Sequence, residues 1–156
     1  MEKHWSQIQK AFEVLAYLVK DADPNGMELY FTNSDASGQQ KNRTKLLRLL
    51  QSVQIRGQGG LESSLSKILD RCIRPGLLHP LLGRARHSVN IYVFTDGVWN
   101  GEDDTLCGID DAIMRTAAKM TTRNSIGIQF IQFGDNETGT QRLQILDDGL
   151  REKNIM

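Results

Sequence analysis

Two apolar, β-rich runs separated by one helix-length stretch constrain this chain more than any other feature. Val89-Asn-Ile-Tyr-Val-Phe94 ends in Thr95-Asp-Gly97, and Ile126 to Phe133 ends in Gly134-Asp135. Each run is short, continuous in apolar character and closed by turn residues, as expected of an interior strand in a parallel sheet covered on both faces. Between them Ile109, Ile113, Ala117 and Met120 fall on one helical stripe; after them Leu143, Leu146 and Leu150 form another. Parallel strands need a crossover connection, usually a helix, so the alternation predicts an α/β fold.

The first half of the chain reads less uniformly. Trp5, Ile8, Phe12, Leu15 and Val19 recur at steps of three and four and predict one face of an amphipathic helix. Its expected stop is Asp21-Ala-Asp-Pro-Asn-Gly26, where Pro24 breaks the helix and Gly26 turns the chain. Met27 to Thr32 then alternates as a strand, with Met27, Leu29 and Phe31 pointing one way. Asn33 to Asn42 is polar and small, which predicts an exposed loop, and Thr44 is the expected cap of a helix carrying Leu46, Leu47, Leu49 and Leu50. A further helix is expected through Leu61, Leu65, Ile68, Leu69 and Cys72, ending before Pro75-Gly76. From there to His87 a loop is expected, with Arg84, Arg86 and His87 on a solvated edge.

Composition narrows the classes of function. A chain of 156 residues with 39% hydrophobic and 24% charged residues makes one domain of ordinary size, or a piece of a larger protein, with enough apolar material for a core. Nineteen basic residues balance nineteen acidic ones, which removes the electrostatic reason to expect nucleic acid or an anionic membrane as partner. No run approaches the ~18 apolar residues of a membrane span, and Met1-Glu-Lys-His-Trp5 is not the start of a signal peptide. Cytoplasmic or nuclear residence is the default expectation. Cys72 and Cys107 have neither CxxC nor finger spacing and are expected to be buried free thiols.

Chemistry concentrates in Thr95-Asp-Gly-Val-Trp-Asn-Gly-Glu-Asp-Asp104. A carboxylate at the C-terminal end of a parallel strand faces the crevice in which α/β sheets bind ligands, so Asp96 is the leading candidate. Asp96 and Gly97 would equally serve to turn the chain. Glu102, Asp103 and Asp104 could add oxygen ligands for Mg²⁺, but an acidic cluster ahead of a helix is more often a cap and dipole partner, and Asp110 and Asp111 belong to that first turn. Gly134-Asp-Asn-Glu-Thr-Gly139 has phosphate-loop spacing, yet Thr140-Gln141 replaces the Lys and hydroxyl that would reach phosphate and metal. Gly57-Gln-Gly-Gly60 lacks the strand a dinucleotide fingerprint needs. No nucleophile elbow or paired Cys and His appears, and His4, His79 and His87 are scattered. Trp5 and Trp99 could stack on a ligand, though each suits packing better, Trp5 above all from its place on the apolar stripe.

Several segments together resemble a von Willebrand factor type A domain, in the version found in uncharacterised fungal proteins. They are His4-Trp5 opening a long helix, Leu18-Val-Lys-Asp-Ala-Asp-Pro-Asn-Gly26 with Met27-Glu-Leu-Tyr-Phe31, Val93-Phe-Thr-Asp-Gly-Val-Trp99, and Ile128-Gln-Phe-Ile-Gln-Phe-Gly-Asp135 with Leu146-Asp147-Asp148 behind it. The resemblance covers nearly the whole chain as a single incomplete domain, residues 1–156. It implies a doubly wound, mostly parallel, Rossmann-like sheet. Such domains often hold Mg²⁺ through an Asp-x-Ser-x-Ser loop, a Thr from a second loop and an Asp from a third. The third position matches Asp96. The second falls in Gly57-Gln-Gly-Gly-Leu61, where Gly59 stands in place of the Thr and Ser63 or Ser64 would substitute only from a shifted backbone. The first loop has no counterpart, so the resemblance implies a domain that starts at Met1 just past the metal-binding serines. It would lack the first central strand, between Met27–Thr32 and Val89–Phe94, and at Ile155-Met156 the last edge strand as well. Lost ladder partners at a central strand cost ~1–3 kcal/mol for each buried group.

What the resemblance implies for function is a non-catalytic module binding an unknown protein ligand, with a degenerate metal-ion-dependent adhesion site. Mg²⁺ would be held only if an upstream Asp-x-Ser-x-Ser segment exists; otherwise Asp96, Trp99 and the acidic loop would act without metal. A small metal-dependent hydrolase using Asp96 with Asp103 or Asp104 is the enzyme alternative, without a His or Lys base beside them in sequence. A truncated gene product with no separate function is the third expectation.

Overall fold

A computed structural model of the chain describes residues 2–19, 27–40, 42–54, 60–73, 88–99, 108–120 and 126–153. Two compact units result, Met1–Gly60 and Leu61–Met156.

In the first unit a short 3₁₀ turn, Glu2–His4, leads into helix α1, Trp5–Val19. The expected stripe is there, but its most buried residues are Ile8, Phe12 and Ala16, with Trp5, Leu15 and Val19 half-buried beside them. Strand β1, Met27–Phe31, follows as predicted. The segment expected to be a loop is instead strand β2, Ser34–Gln40, antiparallel to β1 across Thr32-Asn33. Its composition, Ser-Asp-Ala-Ser-Gly-Gln-Gln, has little strand propensity of its own. Ladder bonds to β1 supply what propensity does not, and a polar sequence is what keeps an edge strand from pairing elsewhere.

Helix α2, Arg43–Ser52, starts earlier than expected, and its cap is Asn42, not Thr44. Asn42 is extended (φ −92°, ψ 112°), and its Oδ1 accepts from the amides of Thr44 at 2.9 Å and Lys45 at 3.3 Å, two donors of the first turn. Leu46 and Leu50 are buried one turn apart. A Cβ at Gly38 of β2 would come within 2.8 Å of Leu49 Cδ2, so this glycine is where α2 approaches the hairpin.

The second unit contains helix α3 (Leu61–Ile73), strand β3 (Val89–Thr95), helix α4 (Ile109–Lys119), strand β4 (Ile126–Gln132) and helix α5 (Glu137–Glu152). β3 and β4 are parallel, as predicted, and stay in register from Val89 opposite Ile126 to Thr95 opposite Gln132. The chain is therefore mixed α/β with one antiparallel and one parallel two-stranded sheet among the described residues. Leu65 and Leu69 of α3, Trp99, Ile109, Ala112 and Ile113 of α4, and Leu146 and Leu150 of α5 form one buried cluster. Ile91 of β3 and Ile126, Ile128 and Phe130 of β4 pack against it.

The cap of α4 is Gly108 in the left-handed conformation (φ 74°), without a side-chain cap bond. The acidic group packed there is Glu62 of α3, whose Oε1 would lie 2.6 Å from a Cβ at Gly108; an anion at that helix end favours the helix dipole. Asp110 and Asp111 occupy the first turn of α4 as expected, whereas Glu102, Asp103 and Asp104 lie outside the described residues. So do Pro24, Gly26, Gly59, His79, Arg84, Arg86, His87 and Cys107. Cys72 is half-buried rather than buried. Among the described residues no helix is long and apolar enough to cross a membrane.

Candidate functional site

β3 and β4 end together, because Phe133 N donates to Thr95 O at 2.8 Å and extends the ladder by one bond. Beyond that bond the chain turns at Asp96, and two side chains shape the turn. Thr95 is buried, and its Oγ1 accepts from Gly97 N at 3.0 Å; Asp96 Oδ1 accepts from Val98 N at 3.2 Å. Hydroxyl and carboxylate thus each bond the amide two residues on, the local geometry that makes Thr and Asp turn formers. Asp96 itself is half-buried.

Gly97 is required twice over. Its φ is +77°, a region L side chains rarely occupy, and a Cβ there would fall 2.4 Å from the Cα of Gly139. Conversely, a Cβ at Gly139 would fall 2.3 Å from Asp96 O. Gly139 lies in the first turn of α5, whose cap Asn136 accepts from Gly139 N at 2.9 Å through Oδ1. The Asp96 turn therefore rests backbone on backbone against the start of α5, a packing that only two glycines allow.

Trp99, expected beside Asp96 in a binding role, is only 6% exposed and belongs to the buried cluster. Its ring has no face free for a ligand. Arg142 of α5, also 6% exposed, donates from Nη1 to Trp99 O at 3.0 Å, and its Cζ stands 5.8 Å from the Trp99 ring centroid. A buried guanidinium is costly to desolvate, and a carbonyl acceptor with an aromatic face offsets part of that cost. Among the described residues Trp99 Nε1 meets no hydrogen-bond acceptor. The most exposed side chain of this turn is Val98, at 49%, beside the half-buried Asp96.

Sequence reasoning singled out Asp96 but missed Val98, Gly139 and Arg142. A signal for two of them existed, since Gly139, Arg142, Leu146 and Leu150 follow steps of three and four and all four are buried on α5. An Arg within such a stripe is an invitation to look for its partner.

Asp96 is a half-buried carboxylate held in one orientation at the end of a parallel strand, which suits it to accept hydrogen bonds or to pair with a cation. Among the described residues no three His, Cys, Asp or Glu side chains come together as a metal centre would need. Ser63 and Ser64, the candidate substitutes for the absent Thr, are inside the first turn of α3. Comparison with protein-family models, with curated proteins and with solved structures finds no match.

Proposed function

We propose that this chain is a non-catalytic protein-binding module resembling a von Willebrand A domain, with a degenerate metal-ion-dependent adhesion site centred on Asp96. The observation that carries this is the position of Asp96, one residue past the end of a parallel strand and fixed by Val98 N, Gly97 and Gly139. In open α/β sheets that position faces the ligand crevice. A doubly wound sheet belongs to the same proposal, and its support is the parallel pairing of β3 with β4 across α4.

The partner would engage the Asp96 carboxylate without metal, through an amide, hydroxyl or cationic group, with Val98 as the adjacent apolar contact. Because the turn is already ordered, little conformational entropy is lost on binding, which favours affinity at a small surface. The decisive comparison is capture of partners by wild type, by Asp96→Ala and by a control, Asp148→Ala, on the exposed side of α5. A protein retained by wild type and the control but lost by Asp96→Ala is the expected outcome, while identical retention by all three would sink the proposal. Calorimetric titration with Mg²⁺ is expected to show no binding heat, and saturable uptake would restore a metal to the site.

A further inference from the structure

We propose that Arg142 is a positioning residue for the Asp96 turn, holding it from α5 through Trp99 rather than touching a ligand. The inference rests on the reading of Asp96 as the binding group, and it says how the geometry of that group is controlled.

Three links tie the turn to the rest of the unit. The ladder bond from Phe133 N fixes Thr95, and the glycine contact fixes Asp96 and Gly97. Beyond Gly97 the chain leaves α5's first turn, and Val98 is open to solvent. The next fixed point is Trp99, whose carbonyl is gripped by Arg142 Nη1 and whose ring lies beneath the same guanidinium. Val98 N, the donor that orients the Asp96 carboxylate, thus lies between two anchors, and Arg142 supplies the second. Loosening that anchor would let the Val98 amide swing away, and the carboxylate would lose its orientation without any change in the ligand-facing side chains. Arg is suited to this because its planar fork keeps a fixed direction while its face stacks on an aromatic ring, which a Lys ammonium does not do. The solvent-facing side of α5 has no part in the linkage.

The test is amide hydrogen exchange, read by NMR on the full chain without any partner, for wild type, Arg142→Lys and Arg142→Met. Arg142→Met is expected to speed exchange at Gly97 and Val98 by about tenfold or more, the scale of losing a buried charge-assisted bond. The amides of Ile113 and Leu146 should change by less than about threefold, and Arg142→Lys, which keeps a cation and a donor, should fall between wild type and Met at the turn. Uniform acceleration at all four amides, or no acceleration at the turn, would overturn the proposal. So would failure of both variants to fold, since Arg142 would then be a general core residue. No binding partner enters this measurement. A loosened turn in Arg142→Met together with unchanged capture by Asp96→Ala would leave the positioning role standing and remove the binding role.

Discussion

In β1 and β2 a two-residue turn joins strands that are neighbours in the chain, whereas β3 and β4 meet only after α4 has been laid between them. The hairpin tolerates a register shift between Tyr30 and Phe31; the parallel pair keeps one register over all seven positions. Their glycines differ in the same sense. Gly38 makes room for the tip of a leucine, an atom that can rotate away, while Gly97 and Gly139 make room for each other's backbone, which cannot. A polar local hairpin can be forgiving because little depends on its spacing. The parallel pair ends in a turn whose shape is set by contacts from far along the sequence, and there the tolerance is gone.

The largest expected effect follows from that contrast. Gly139→Ala should cost about 3 kcal/mol or more in urea denaturation, because its Cβ meets a backbone oxygen, whereas Gly38→Ala should cost under ~1 kcal/mol as Leu49 moves aside. Equal losses at the two sites would break the comparison. Next in size is Asn42→Ala, which removes the acceptor for two first-turn amides of α2 and should lower stability by about 1 kcal/mol in the same assay. Smallest, and opposite in sign, is Gly149→Ala on α5. Nothing lies within 4 Å of its would-be Cβ, so helix propensity alone should raise stability by ~0.5–1 kcal/mol in thermal melts. A loss there would show that α5 is more tightly packed along that face than its half-buried glycine indicates.

The parallel pair was legible because Val89 to Phe94 and Ile126 to Phe133 are apolar and β-rich, although the strands are mostly half-buried rather than covered on both faces, with Asn90 and Gln129 exposed. β2 was not, because its stability comes from the ladder to β1 and leaves no apolar period in Ser34 to Gln40. Thr44 looked like a cap because it precedes the leucines, but helices begin where amides need an acceptor, and Asn42 supplies one earlier. At the candidate site the same divide holds. Asp96 could be read from the strand that precedes it, while the period of α5 marks Gly139 and Arg142 as buried positions without recording their distant partners at Asp96, Gly97 and Trp99. Trp99 shows the converse, a residue adjacent in sequence to the site that the core takes away from it.

The bond from Arg142 to Trp99 closes a loop of 43 residues. Contacts of that separation reward the chain only after the entropy of closing the loop has been spent, so they form late when a domain folds. α3, α4 and α5 can each begin from their own local bonds, but the Asp96 turn acquires its shape only once β4 has returned beside β3 and α5 has docked behind it. During synthesis this means that the turn stays unformed until α5 has left the ribosome. A nascent chain stalled before that point would carry the Asp96 sequence without its geometry, so the site doubles as a report that the unit has been completed.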